Sequence, residues 1–140
     1  MIVVYSYYVM DILHRGHILH MRNAKKIAGP DGISVVGILT DAATMEKKKA
    51  PLLSFDERMI IAQAIRYNDV VIPQDTYSPL TNIQSIKPTF HLESASHSEK
   101  DIILYRQVMA AWGGSVMIMP YYPGISSTKI KNDIGGKLHE

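Results

Sequence analysis

The sequence predicts an α/β fold: a doubly wound, five-stranded parallel sheet with helices on both faces. Three observations lead to it. Short β-branched and aromatic runs alternate with helical patterns five times along the chain. A helical pattern separates each strand from the next, supplying the crossover that parallel pairing requires. The runs IVVYSYYV and ISVVGILT are mostly β-branched, aromatic or aliphatic with no regular polar alternation, as strands covered on both faces are.

The elements follow in order. Residues 2–9 read as the first strand, rich in Val and Tyr. From Arg15 to Ala28 the period becomes helical, with His17, Met21, Ala24 and Ala28 on one stripe, and Gly29-Pro30-Asp31-Gly32 stops it. ISVVGILT (33–40) is the second strand. Ser54-Phe55-Asp56-Glu57 is a capping box that opens a helix to about Tyr67, and Asn68 ends it. DVVIP (69–73) is a short third strand. Ser78 as N-cap followed by Pro79 at the first helical position begins a short helix toward Ile86. TFHLE (89–93) is the fourth strand. Ser98 starts a longer helix that Gly113-Gly114 closes. SVMIMP (115–120) is the fifth strand, and Ser126 or Ser127 caps a last helix. The result is Rossmann-like. In such sheets ligands sit beyond the carboxyl ends of the strands, at the switch point.

At 140 residues the chain is read as a single domain, 1–140. A net charge of +2 gives no electrostatic case for nucleic acid or an anionic membrane as main partner. Cysteine is absent, which excludes a disulfide scaffold, a thiolate zinc site and a cysteine nucleophile and suits a cytoplasmic location. Asp11, His14 and Arg15 cut the first apolar run short of a membrane span. With no basic region before it and no small-residue cleavage site, the run reads as a strand and not a signal peptide.

Three of the six histidines stand in HRGHILH, His14 to His20. A spacing of three drifts around a helix, so the three imidazoles do not converge well on one metal ion. Burial of one or two as core histidines leaves Gly16 unexplained, since glycine weakens a first helical turn. An anion site accounts for more. A helix N-terminus carries unpaired N–H groups and the positive end of the dipole. His14 and His17 add donors for phosphate oxygens there, and Gly16 lets the anion approach the backbone. His20, a turn later, is expected on the helix surface.

A second such start follows the fifth strand. Gly124-Ile125-Ser126-Ser127-Thr128 is a glycine turn with hydroxyl-bearing cap residues, and Lys129 and Lys131 make the first turn basic. Two anion sites on one sheet edge suit a polyphosphate, one holding the reacting phosphorus and the other the leaving pyrophosphate. Glu46-Lys47-Lys48-Lys49 hangs from the same edge, where a lysine can fold over the phosphates.

These residues resemble the signatures of a known family. HRGH is similar to the H-x-G-H of the nucleotidylyltransferases, and GISSTKIK to their I-S-[ST]-T-x-[KR] segment. With Thr40-Asp41, the lysine loop and RYNDVVIP (66–73), the likeness covers most of the chain and is nearest the small, glycerol-3-phosphate-type cytidylyltransferases. It implies transfer of CMP from CTP to a phosphate-type oxygen with release of pyrophosphate, Mg²⁺ bound mainly through the nucleotide phosphates and not by protein side chains, and a homodimer. His14, His17 and Lys47 are implied as catalytic. Val9, Met10, Gly16, Lys49, Tyr121, Gly124, Ile125, Ser126, Ser127 and Thr128 are implied as nucleotide-binding. Met59, Ile60 and Ile61 in succession fit a partner face or packing within the domain equally well.

The departures fall around the expected pocket. Tyr8-Val9-Met10-Asp11 stands where the family has G-T-F-D, and Tyr121 where it has an arginine that Lys129 or Arg106 would have to replace. Glu93-Ser94 replaces an acidic pair. Together with YSYYVMDILHRGH, TYSPL and ESASHSE, these changes resemble cytidylyltransferases that join CMP to a small phosphonate of the phosphonoformate kind, as in phosphonate natural-product biosynthesis. Glu93, His97 and Tyr122 are then expected around the acceptor. An ionised phosphonate oxygen needs no general base, and none is evident. Two further readings stay open: an adenylyltransferase of the same superfamily, and a non-catalytic nucleotide-binding module.

Overall fold

The computed structural model describes residues 1–120 and 126–139. Five strands, β1 (Val3–Tyr8), β2 (Ile33–Leu39), β3 (Val70–Gln74), β4 (Phe90–Ser94) and β5 (Ser115–Met119), form one parallel sheet in the order β3-β2-β1-β4-β5. The helices are α1 (Arg15–Ala28), α2 (Asp41–Met45), α3 (Phe55–Ala64), α4 (Leu80–Ile86), α5 (Glu99–Ala110) and α6 (Ser127–His139). This is the doubly wound α/β architecture that the strand–helix alternation predicts.

Successive residues of a strand face opposite ways, and the core divides accordingly. On one face Val4, Leu92 and Met119 pack on Ala24 and Ala28 of α1, while Val36 and Ile38 pack on Met21 of α1 and Ala62 of α3. On the other face Tyr5 and Val35 meet Ile83 of α4 and Met109 of α5. The Tyr5 hydroxyl is buried but satisfied. It donates to Gln74 Oε1 at 2.6 Å and accepts from Asn82 Nδ2 at 2.9 Å. Gly37 makes this possible, because a Cβ there would lie 2.0 Å from the Tyr5 oxygen.

Most boundaries agree with the local chemistry. Residue 29 closes α1 at φ 77°, a conformation open to glycine. Ser54 and Ser98 cap α3 and α5, accepting from Glu57 and Asp101 amides at 3.2 Å each. Helix α3 ends at Ala64 and does not run to Tyr67: Ile65 is extended, and the Asn68 side chain donates from Nδ2 to the Ala62 carbonyl at 3.0 Å. Pro79 takes the N-cap position of α4 and Ser78 stands one residue outside it, a shift from the expected Ser-cap. Helix α2, capped by Thr40, was not anticipated; five residues show no period. Within α3, Met59 and Ile61 pack inward against the core and Ile60 is exposed, so the helix carries an apolar side chain on its outer side as well.

β1 and β4 are neighbours, and the chain leaves them toward opposite halves of the sheet. The crevice beyond their carboxyl ends is therefore the switch point. Residues 9–14 follow β1 into it, and residues 95–97 follow β4.

Candidate functional site

At that crevice lies a cavity of about 810 Å³. His14 and His17 line it from the start of α1, Ser126, Ser127 and Thr128 from the start of α6, and Lys48 and Lys49 from the loop after α2. Tyr7, Val9, Met10 and Asp11 form the β1 side, and Tyr77 and His97 the far wall.

The two histidines cap their own helix. His14 Nδ1 accepts from the Gly16 amide at 3.0 Å, and His17 Nδ1 accepts from the His14 amide at 3.2 Å. An imidazole that accepts at Nδ1 carries its proton on Nε2. Both rings, with centroids 4.0 Å apart, thus hold a defined tautomer whose remaining group is an N–H donor. Burial, with help from the neighbouring His14 and His20, pushes His17 down to about 3, and burial also lowers His14. The pair is neutral at pH 7. It offers hydrogen bonds to an anion without asking two cations to share one turn.

Gly16 has a reason different from the one its position suggests. A Cβ there would stand 2.8 Å from His14 Cε1 and 3.0 Å from Nδ1, so the space belongs to the cap ring. Gly16→Ala should leave stability nearly unchanged, the better helix propensity of Ala offsetting the loss of the His14 cap. It should lower turnover about tenfold by displacing the His14 ring. Thermal midpoint and kcat measured on the same preparation check both halves; unchanged kcat would detach the ring from the chemistry.

His20 is not on the surface as expected. It is mostly buried, and its Nδ1 meets the Tyr8 hydroxyl in a T-shaped contact. Burial lowers it to about 4, against a smaller raising effect from Glu93. Unfolded histidines titrate near about 6.5, so between that value and about 4 the unfolded chain binds protons that His17 and His20 refuse. Stability should be full above pH 6.5 and fall with acidification, each histidine adding up to about 1.4 kcal/mol per pH unit. Urea midpoints from pH 7.5 to 4.5 test this, and a flat profile would contradict it. Replacement of His20 by Gln should flatten the slope.

At the second helix start the hydroxyls divide their work. Ser126 Oγ caps α6 by accepting from the Lys129 amide at 3.0 Å. Ser127 Oγ donates to the Ile12 carbonyl at 2.8 Å, tying α6 to the segment after β1. Lys131 makes a second tie, an ion pair with Asp11, which also accepts from the Leu53 amide at 2.9 Å. Burial raises Asp11, but the Leu53 amide and Lys131 outweigh it and hold the carboxyl below its ordinary range. Lys131 thus reaches the cavity, whereas Lys129 pairs on the surface with Asp133 and Arg106 lies exposed on α5.

Unlike its neighbour Lys48, whose ammonium lies 6.0 Å from the Tyr77 ring centroid, Lys47 does not line this cavity. Its ammonium sits 5.5 Å from the Tyr77 ring centroid and lines a second cavity of about 470 Å³, which shares Tyr77 and His97 with the first. Glu93 is neither loop surface nor cavity wall. It is 1% exposed, behind His97. Tyr121, Tyr122, Gly124 and Ile125 lie outside the described residues. Among the described residues no three histidines or carboxylates come together as metal ligands.

Sequence reading missed Arg58, a fully buried guanidinium. It donates to the carbonyls of Leu39 at 2.7 Å, Val9 at 2.8 Å and Leu53 at 3.2 Å, and pairs with Asp41 at 2.7 Å. It thereby holds together the ends of β1 and β2, the start of α2 and the loop before α3. An arginine on a helix is ordinarily solvated, and only its place one turn after the Ser54 cap hints otherwise.

Comparison with known proteins gives a family and a fold. The family model described as cytidylyltransferase-like matches residues 9–133. Bifunctional protein HldE of Yersinia enterocolitica serotype O:8 is 32% identical over 139 residues, 95% of this chain and 28% of its own length. The protein of the same name from Yersinia pestis (strain Pestoides F) is 31% identical over 134 residues, with 94% and 27% covered. The chain thus spans about a quarter of the length of these relatives. Among solved structures, the lipopolysaccharide core biosynthesis protein from Thermoplasma volcanium matches with a TM-score of 0.73 at 22% identity, over 87% of this chain and 98% of that one. A macrolide-efflux protein from Streptococcus pneumoniae matches with a TM-score of 0.62 at 18% identity, over 95% and 51%. These two likenesses speak for the fold alone.

Proposed function

Because the chain belongs to the cytidylyltransferase-like family, we propose that it transfers CMP from CTP to a small phosphonate acceptor of the phosphonoformate kind, releasing pyrophosphate. The observation that carries the reading is the pair of capped helix starts facing one cavity, with His14 and His17 at one and Ser126–Thr128 at the other. Transfer at phosphorus asks the protein mainly to position reactants and to stabilise charge. In this reading the Nε2–H groups of His14 and His17 hold the α-phosphate as charge builds on it. The start of α6 holds the β- and γ-phosphates, and Lys48 and Lys49 neutralise them from above.

Mg²⁺ fits this cavity as an ion carried by the phosphates. Asp11 is the one carboxylate among the described lining residues, and its oxygens keep lone pairs beyond the Leu53 and Lys131 contacts. Bound there, the ion would shield charge on the leaving pyrophosphate. The phosphonate assignment draws on the residues that depart from the glycerol-3-phosphate pattern, Tyr8-Val9-Met10 and Glu93-Ser94, together with Lys47 in the adjoining cavity.

The two phosphate-handling starts do not read the base, so ATP in place of CTP is the second reading. Pyrophosphate release with each nucleoside triphosphate, across phosphonoformate, other small phosphonates and glycerol 3-phosphate, tests both. Turnover with CTP and a phosphonate is the expected result. Turnover with ATP alone replaces the base assignment, and nucleotide binding without release from any acceptor makes the chain a binding module.

A further inference from the structure

His97 stands at the wall shared by the two cavities, and its surroundings are built as for a working imidazole. Its Nε2 lies 3.2 Å from Glu93 Oε2 and 3.3 Å from the Tyr7 hydroxyl. Glu93, 1% exposed, also accepts from the Tyr7 hydroxyl at 2.8 Å and contacts His91 Nε2 at 2.7 Å. The His91 ring is itself fully buried and stacked on Tyr7, with centroids 5.7 Å apart. A carboxylate held from three sides by side chains in a core is costly to maintain unless its geometry is used.

The chemistry of the contact sets the tautomer. A carboxylate only accepts, so the nitrogen facing it carries the proton and Nδ1 keeps its lone pair. Among the described residues Nδ1 has no hydrogen-bond partner, and the side chain is 21% exposed. An imidazole so held can take a proton from an occupant of the cavity, while the buried carboxylate stabilises the cation that forms.

We propose that His97 is the proton acceptor of the transfer, positioned by Glu93. The substrate it serves is a monoprotonated phosphonate or phosphate seated in the second cavity near Lys47, which attacks through an ionised oxygen while a neighbouring oxygen of the same group gives up the proton. The proposal rests on the nucleotidyl-transfer reading. In the step, the acceptor oxygen forms a bond to the α-phosphorus, and the bond from that phosphorus to pyrophosphate breaks. Pyrophosphate leaves with the electron pair, and the acceptor's proton passes to His97 Nδ1 and then to water. No general base is visible in the sequence, because Glu93 and His97 are expected there only as separate residues around the acceptor and not as a pair.

The test uses the full chain with CTP and phosphonoformate. His97→Ala should lower kcat about 100-fold with the acceptor KM nearly unchanged, and added imidazole should restore about tenfold of the loss. Replacing Glu93 by Gln should lower kcat about tenfold with no response to imidazole, since the ring is still in place. In His97→Ala, a kcat close to wild type, a loss that imidazole leaves untouched, or a rise in acceptor KM alone overturns the proposal; the last would make His97 a binding residue. Should His97→Ala fail to fold, His97→Gln is read by its kcat and acceptor KM alone, since its side chain fills the space that added imidazole needs. Absence of turnover in the wild type, with every triphosphate and acceptor, takes down the underlying reading as well. Loss of the His97 effect in an active wild type takes down only this one.

Discussion

His17→Ala lowers kcat a few hundredfold while the KM for the nucleotide moves little. The magnitude is that of one preorganised donor aimed at charge which develops in the transition state. The expectation follows from how the ring is held. His17 accepts the His14 amide through Nδ1, its pKa is pushed down to about 3, and its remaining function is an Nε2–H toward the cavity. Such a donor reorganises little during the reaction, so its contribution is made where the phosphorus carries most charge. Removing it also releases the His14 amide, one half of the capping box, so a small loss of stability accompanies the kinetic loss. Replacement by Asn, which can still accept from that amide, should recover the stability and not the rate. A variant turning over at near wild-type speed would remove His17 from the mechanism.

Arg58→Met unfolds more than it inactivates. The substitution keeps most of the buried volume and deletes the donors to the carbonyls of Val9, Leu39 and Leu53. Orphaned buried carbonyls cost about 1–3 kcal/mol each, though some water will enter, so a loss of about 3–5 kcal/mol is expected. Asp41 adds little because its side chain is half exposed and stays hydrated. For a chain of this length the thermal midpoint should fall by about 10–20 °C. Replacement by Lys should recover only part of this, because one ammonium cannot reach acceptors spread around a planar fork. A change below about 1 kcal/mol would mean that solvent already reaches these carbonyls.

The fold was legible because its signals are local and repeated. Arg15–Ala28 begins at the HRGH turn and stops at Gly29, and a capping serine precedes each of α3 and α5, all readable without tertiary knowledge. What could not be read depends on contacts distant in sequence. His20 looks like a surface residue until Tyr8 from β1 is laid against it. The resemblance puts Glu93 and His97 near the acceptor, but their pairing shows only when Tyr7 and His91 close around the carboxylate. Arg58 carries an ordinary helix signal, and its four partners come from three other segments of the chain and from the loop just before its own helix. Among the lysines, spacing alone does not say which of 47, 48 and 49 faces which cavity, because a turn on the surface decides it.

The bonds from Ser127 to Ile12 and from Lys131 to Asp11 fasten the start of α6 to the segment that leads into α1. The separation of the two anchoring points is therefore set before any nucleotide arrives. Under the proposed function a triphosphate tail meets both points, His14 and His17 at one and Ser126–Thr128 at the other. The scaffold is then a jig whose setting belongs to the fold and not to the nucleotide.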